Sequence, residues 1–431
     1  MRTTKKYTLT ASKKFKEKLL SWANQFEEVV WLDSNEYQFS SAKYDAILAV
    51  EAFTSIKTDT LDAFDQLKEY QETTKDWIFG YLTYDLKNDV ENLTSKNIDG
   101  LHFPALYFIQ PKKIFLIKDD EIQLHYLAMV DDELETDWEE ICAYKITDEV
   151  EENIVQSPVK SRLSEDEYVE KVEKMLAHIF RGDIYEANFC QEFYLENALL
   201  NPLETYFQLN QLSTPPFAAY CKLEDYYLLS ASPERYIKKT GNKIISQPIK
   251  GTARRLENKE EDDLLKNQLQ NDPKERAENI MIVDLVRNDL SKTATKASVE
   301  VEELCGLYTF QQVHQLISTI SSKVDLNLSP IEILRTTFPM GSMTGAPKVS
   351  AMQIIEDLEV SKRGLYSGSL GYFTPEGDFD FSVIIRSILY NQEKKYASFS
   401  VGSAITAKSD PKKEYEECLI KAAAMKKALN L

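Results

Sequence analysis

One lysine stands on a short-sided stretch, Gln247-Pro248-Ile249-Lys250-Gly251-Thr252-Ala253-Arg254-Arg255, that follows the apolar strand end Ile244-Ile245. Proline and glycine bracket it as a tight segment, and a glycine after the lysine lets the chain turn or come close to a ligand. Held this way, Lys250 is a candidate nucleophile, provided its surroundings keep part of it neutral. Alone it reads as a solvated loop lysine; its company decides. Two further segments open with an Asp-Pro pair: Asp272-Pro273, leading to Glu275 and Glu278, and Asp410-Pro411, leading to Glu414, Glu417 and Lys421. Aspartate caps a helix and proline suits its first turn, so each pair predicts a helix start, with Glu275 completing a capping box at the first. Glu275 and Glu278 share a face, and Glu414, Glu417 and Lys421 form one stripe. Each stripe alone suits a solvated surface. If the two helices face one another, the carboxylates converge into a cluster that is costly without a cation, and such hard oxygen donors suit Mg²⁺. Arg386 lies in the apolar run Val383 to Leu389 and, if buried, needs an anion: a ligand or a structural ion pair.

A glycine-rich loop, Phe338-Pro339-Met340-Gly341-Ser342-Met343-Thr344-Gly345-Ala346-Pro347-Lys348, precedes a helical pattern carrying Ile354, Ile355 and Leu358. Glycines at a helix mouth offer backbone N–H groups to an anion. The loop is not a nucleotide P-loop, because the glycine–lysine spacing fails and a proline precedes the lysine.

The elements that must position these groups are mixed. Strands are expected at Tyr44–Ala49, Trp77–Tyr84, Ala105–Ile109 and Ile114–Ile117, and a helix over Thr60–Thr73. Ser164-Glu165-Asp166-Glu167 starts a helix ended by Gly182-Asp183. After it come a strand at Ile184–Phe193, a helix at Asn201–Leu212, strands at Phe217–Leu223 and Tyr226–Ser230, and paired strands at Tyr366–Phe373 and Phe381–Tyr390. The acidic run Asp131–Glu152, continuing through Ser157-Pro158, reads as a linker or a solvated helix face. It divides the chain into an N-terminal α/β region, 1–155, and a chemistry-bearing region, 160–431. The irregular alternation predicts an α/β (α+β) unit: two largely antiparallel or mixed β-sheets stacked face to face, flanked by helices.

Composition excludes several classes. A formal charge of -19 argues against a nucleic-acid partner, which needs a basic face, but leaves room for a local cationic pocket. The five cysteines are scattered, with no CxxC pair, as reduced thiols in a cytoplasmic protein would be. No apolar run reaches the roughly 18 residues needed to span a bilayer, so no membrane association is expected.

Taken together, the segments over residues 160–431 resemble the chorismate-utilising enzymes, the family of anthranilate, aminodeoxychorismate, isochorismate and salicylate synthases. Five motifs stand in the family's order: Gly182-Asp183-Ile184-Tyr185, Ser232-Pro233-Glu234, Pro248–Arg255, Asp284-Leu285-Val286-Arg287-Asn288-Asp289 and Gly341–Lys348. The resemblance implies a two-sheet sandwich with its site in the cleft between sheets. Within the family the Pro-Ile-Lys-Gly-Thr form resembles aminodeoxychorismate synthase component I, whereas anthranilate synthases and most isochorismate synthases carry a small residue at the position of Lys250. That likeness implies attack of Lys250 on ring carbon 2 of chorismate, then ammonia adding at ring carbon 4 and expelling the lysine. It implies Mg²⁺ on Glu278 and Glu417 with Glu414 alongside, and the enolpyruvyl carboxylate on Arg386 and Tyr366. Ser342, Thr344 and Gly345 of the glycine-rich loop, Gly402-Ser403 of a substrate turn, and Lys421 complete the implied substrate site. No glutaminase motif is present in the sequence, so the ammonia is expected from a separate glutamine amidotransferase subunit, on the route to para-aminobenzoate and folate. Anthranilate or isochorismate formation, or a non-catalytic chorismate-binding subunit, are the alternatives. Three departures stand out: Gln315 where the family carries histidine, with His314 one place away and facing elsewhere; Ala404 where a glycine is usual, with strain expected if its φ is positive; and Glu192 where an arginine is common.

Overall fold

The structure, a computed structural model, describes residues 1–431 apart from 10–11, 38–42, 147–152 and 156–157. Its strands pair antiparallel throughout and form two layers. The first runs from Arg2–Thr8 through Glu121–Leu127, Leu106–Lys118, Ala46–Thr58, Glu28–Asp33, Phe217–Leu223, Tyr226–Ser232, Ser387–Asn391 and Tyr396–Thr406 to Glu186–Leu195. The second continues from Leu106–Lys118 through Ile78–Leu82, Ser369–Phe373, Phe379–Val383, Arg235–Thr240 and Lys243–Gln247 to Val313–Lys323, which also pairs with Ile249–Arg254 and Glu300–Thr309.

Two 13-residue strands, Ala46–Thr58 and Leu106–Lys118, belong to both layers. The sequence break at Gln110-Pro111-Lys112, read above as a gap between two strands, is the bend of a single one. Its partner shifts register between Ala52 and Thr54, and Glu51 takes a left-handed φ of 62°. Such irregularities bend and twist a strand without ending it.

Alternation along the strands builds three cores. Ile47 and Ala49 join Trp77, Phe79, Tyr81, Leu370, Tyr372 and Leu389 between the layers. Their neighbours Ala46, Leu48 and Val50 face the outer helices of the first layer, and Ile78, Leu82, Phe381 and Val383 face those of the second.

Helices form near their signals. Ser164 makes a full capping box with Glu167, and Gly182, at φ 90°, ends that helix. The first-region helix is shorter than expected, Ala63–Thr74, leaving Leu61 exposed while Phe64 and Leu67 are buried. The supposed linker is in part helix: Asp131–Glu133 is a 3-10 turn and Leu134–Ala143 an α-helix. The rest of that run falls largely outside the described residues.

Phe381–Tyr390, expected as one strand, is two. Phe379–Val383 lies in the second layer and Ser387–Asn391 in the first. Arg386 sits on the crossover between them at φ 53°. A second crossover, Pro233-Glu234, joins Tyr226–Ser232 to Arg235–Thr240. The two run side by side: Val383 N–H donates to Glu234 O at 3.0 Å and Ala231 N–H to Arg386 O at 3.1 Å.

Candidate active site

The layers approach where Lys250, on the second, meets Glu186, on the first; Lys250 Nζ donates to Glu186 Oε1 at 3.0 Å. Gly251, at φ 89°, makes the irregularity that aims the lysine, and the register against Val313–Lys323 shifts between Ile249 and Thr252. Burial alone would depress the Lys250 pKa, but Glu186 and Glu278, with a lesser contribution from Glu234, hold it above the ordinary lysine value. The expected partly neutral amine is therefore an ammonium in the resting protein.

Asp272 and Asp410 cap their helices, Pro273–Ser291 and Pro411–Ala428, as expected. The reciprocal Glu275 bond does not form. Asp272 also ends the preceding helix, so its N–H is already given to Leu269 O at 3.3 Å, and Glu275 lies against Gly251 instead. The two helices do converge: Lys274 feels Glu278, Glu414, Glu275 and Glu417 together. Burial pushes the Glu278 carboxyl up to about 7, against the pull of Lys250 and Lys274. Burial also pushes Glu417 up, but Lys421, bonded at 2.5 Å, brings it below the usual carboxylate range. Lys421 also donates to Gly402 O at 2.9 Å, tying helix to strand.

Among the described residues, no three His, Cys, Asp or Glu side chains stand as a ready-made metal cage. Glu278 Oε1 is nevertheless buried without a hydrogen-bond partner. Mg²⁺ takes one or two protein carboxylates and completes its shell with water and substrate oxygens, so Glu278 with Glu417 and Glu414 fits an ion shared with a bound acid.

Arg386 has no carboxylate ion-pair partner among the described residues; burial lowers its pKa, against the influence of the Tyr366 hydroxyl and of Glu417. A buried guanidinium with no ion-pair partner, beside a tyrosine, has the chemistry to accept an anion. The Tyr366 hydroxyl accepts only a weak bond from Cys190 Sγ at 3.8 Å.

The glycine-rich loop does not present a bare helix mouth. Gly341–Met343 is a 3-10 turn, Gly345-Ala346 pairs with Glu186-Ala187, and Pro347 caps the helix Lys348–Leu358. Gly345 is required sterically, since a Cβ would lie 2.2 Å from Glu186 O. The Thr344 hydroxyl turns back to Gly341 O at 3.2 Å, while that of Ser342 reaches the Glu234 carboxylate. Gly402 is similarly crowded by Cys190 and Asn188. The Ser403 side chain points to the opposite face, with Tyr168 Oη 3.4 Å from its Oγ. It leaves only its backbone on the cleft side.

Four functional groups lay outside the sequence-based set. Glu186, Glu234 and Lys274 sit beside or within segments already noted but carry no assigned role there. Burial pushes the Glu234 carboxyl up to about 7, against the Ser342 hydrogen bond and the charge of Lys250. Arg363 binds Glu359 and donates to Met343 O at 2.6 Å and Asn188 O at 2.8 Å, locking loop to strand.

The three departures resolve differently. His314 faces away from Lys250, with Asp262 at 3.0 Å and Thr309 at 2.9 Å; Gln315 Oε1 is buried without a partner. Ala404 lies in the unbroken strand Tyr396–Thr406 and has no positive φ, so the expected strain is absent. Glu192 is buried and bonded by Arg162 at 2.8 Å and Tyr396 at 3.0 Å, so Arg162 brings the cation from another strand end.

A family model described as chorismate binding enzyme matches residues 23–427. The "Anthranilate synthase component I-like protein" of Synechocystis is 35% identical over 82% of this chain and 72% of its own length. "Aminodeoxychorismate synthase component 1" of Bacillus subtilis is 32% identical over 82% of this chain and 76% of its own. The crystal structure of anthranilate synthase component I from Streptococcus pneumoniae superposes with a TM-score of 0.79 at 25% identity, covering 90% of this chain and 93% of that one.

Proposed function

The chain belongs to the chorismate binding enzyme family, and from that premise we propose that it aminates chorismate to 4-amino-4-deoxychorismate through a covalent adduct on Lys250. One observation carries the reading: a buried amine at position 250, 3.0 Å from Glu186, with Glu278 and Glu234 also acting on it. An amine is the group that can both attack carbon and depart from it. In this reading Lys250, once deprotonated, bonds to ring carbon 2 as the C–O bond at ring carbon 4 breaks. Glu234, whose carboxyl sits near 7, is suited to donate the proton with which that oxygen leaves as water. Ammonia then adds at ring carbon 4 and the bond to Lys250 breaks.

Arg386 and Tyr366 bind the enolpyruvyl carboxylate. Glu278 and Glu417, with Glu414, hold a magnesium ion that, when bound, neutralises the ring carboxylate. Ser342, through its hydroxyl on Glu234, orients the acid. Ammonia comes from a glutamine amidotransferase subunit, in keeping with the "component 1" name of the Bacillus relative, and the product leads toward para-aminobenzoate and folate. No helix among the described residues is long and apolar enough to cross a membrane. The second reading, anthranilate formation, draws on the names of other relatives and leaves Lys250 without a task.

The test is to incubate the protein with chorismate, Mg²⁺ and ammonium and identify the product by mass spectrometry. 4-Amino-4-deoxychorismate is expected; anthranilate, or no consumption, overturns the reading. Lys250→Ala is expected to abolish amination, and unchanged turnover removes the covalent step.

A further inference from the structure

An ammonium has no lone pair with which to attack carbon, so amination through Lys250 requires a base in contact with its Nζ, and the assignment of that base rests on the amination reading. Lys250 is faced from three elements: by Glu186 at the start of strand Glu186–Leu195, by Glu234 on the crossover, and by Glu278 on the helix Pro273–Ser291. Glu275 and Glu417 feel it from further away. Of these carboxylates, Glu186 is the one with a hydrogen bond to Nζ among the described residues, at 3.0 Å. Its side chain is 2% exposed. Its backbone is fixed from both sides, paired with Ala346 and with Thr406.

Glu186 Oε2 is buried and accepts no hydrogen bond. That oxygen is an open acceptor on the carboxylate whose other oxygen already holds Lys250 Nζ. Substrate closing over the pair expels water and favours the uncharged acid–amine form over the ion pair.

We infer that Glu186 is the catalytic base, taking one proton from Lys250 Nζ before attack and returning it when the lysine is expelled. The balance closes. The freed lone pair of Lys250 bonds to ring carbon 2, the π pairs of the ring diene shift toward ring carbon 4, and the C–O electrons leave ring carbon 4 with the Glu234 proton as water. The ammonia lone pair then bonds to ring carbon 4, the π pairs shift back to restore the original diene, and the C–N electrons return to Lys250, which recovers its proton from Glu186. The new ammonium group passes one proton to Glu234. Chorismate and ammonia enter; 4-amino-4-deoxychorismate and water leave.

Glu186→Gln keeps the shape and removes the base. Two measurements test it. In the first, without substrate, acetylation of Lys250 is followed against pH by peptide mass spectrometry; loss of the neighbouring carboxylate is expected to lower the midpoint by about one pH unit or more. In the second, turnover is measured at constant free ammonia. The variant is expected to fall about 100-fold at pH 7 and to recover as pH rises, tracing its own acetylation curve, because only lysines already neutral react. Glu186→Asp, which retains a carboxylate, should keep more turnover at pH 7 than Glu186→Gln. Turnover within about threefold of the parent, or a loss by the same factor at every pH, overturns the assignment. An unmoved acetylation midpoint overturns the pairing itself. Because that midpoint is read without substrate, a protein that proved to form anthranilate would still show the shift while yielding no 4-amino-4-deoxychorismate.

Discussion

In the proposed reaction Glu234 pairs a catalytic demand with a stability cost, and the two can be separated by pH. Its carboxyl is raised from 4.5 to about 7 by burial. For an acid raised on folding, the folded state binds the proton more tightly than the unfolded chain. Below pH 4.5 both states are protonated and nothing is lost. Between 4.5 and 7 the unfolded chain ionises first, and above 7 the cost is fully present, about 3 kcal/mol for a shift of this size. Glu234→Gln removes the ionisable proton but keeps the shape. It is expected to melt at a higher temperature than the parent at pH 8 and at nearly the same temperature at pH 4. Turnover of chorismate should fall at least about 100-fold. Calorimetry across pH, alongside the mass-spectrometric assay, reads both; an unchanged melting temperature at pH 8 would remove the buried acid.

The strand Ile249–Arg254 delivers Lys250 only because it is irregular. Gly251 stands at φ 89°, and a Cβ there would meet Glu275 Oε2 at 3.1 Å and Leu316 at 3.2 Å. Gly251→Ala is expected to cost about 1–2 kcal/mol for the left-handed backbone, measured by urea unfolding. The larger effect should be on kcat, since a shift of about 1 Å in a nucleophile can cost about 100-fold. A variant that unfolds earlier yet turns over normally would show that the irregularity does not aim the lysine. The paired crossovers play the same part for the acid and the anion site. Where two adjacent chain segments change layer together, Glu234 and Arg386 are lifted out of both sheets into the cleft, and Arg386 accepts a left-handed φ to do so.

The two regions divided by sequence at 155 and 160 are interleaved in space. Glu28–Asp33 pairs with Phe217–Leu223, and Ile78–Leu82 with Ser369–Phe373. The core between the layers draws Val30, Phe79 and Ile109 from one region and Ala219, Leu370 and Leu389 from the other. A fragment of residues 160–431 would expose these strand edges and half of that core. It is expected to lack a cooperative thermal transition and to aggregate, as circular dichroism and light scattering would detect; a soluble fragment with a sharp melt would establish independent folding.

Local patterns determined much of this protein. The Asp-Pro caps, the Ser164 box, the glycine stop at Gly182 and the apolar alternation of the strands placed most elements, because each depends on groups a few residues apart. The converging stripes Glu275–Glu278 and Glu414–Lys421 were legible for the same reason: helical spacing fixes which side chains share a face. The Glu186–Lys250 contact was not legible, since it joins positions 64 residues apart across two layers. Nor was the splitting of Phe381–Tyr390, where an unbroken apolar run changes sheet. The charge state of Lys250 and the acidity of Glu234 also waited on tertiary structure. Proton affinity depends on burial and on which carboxylates gather around a group, and only the closing of one layer over the other decides both.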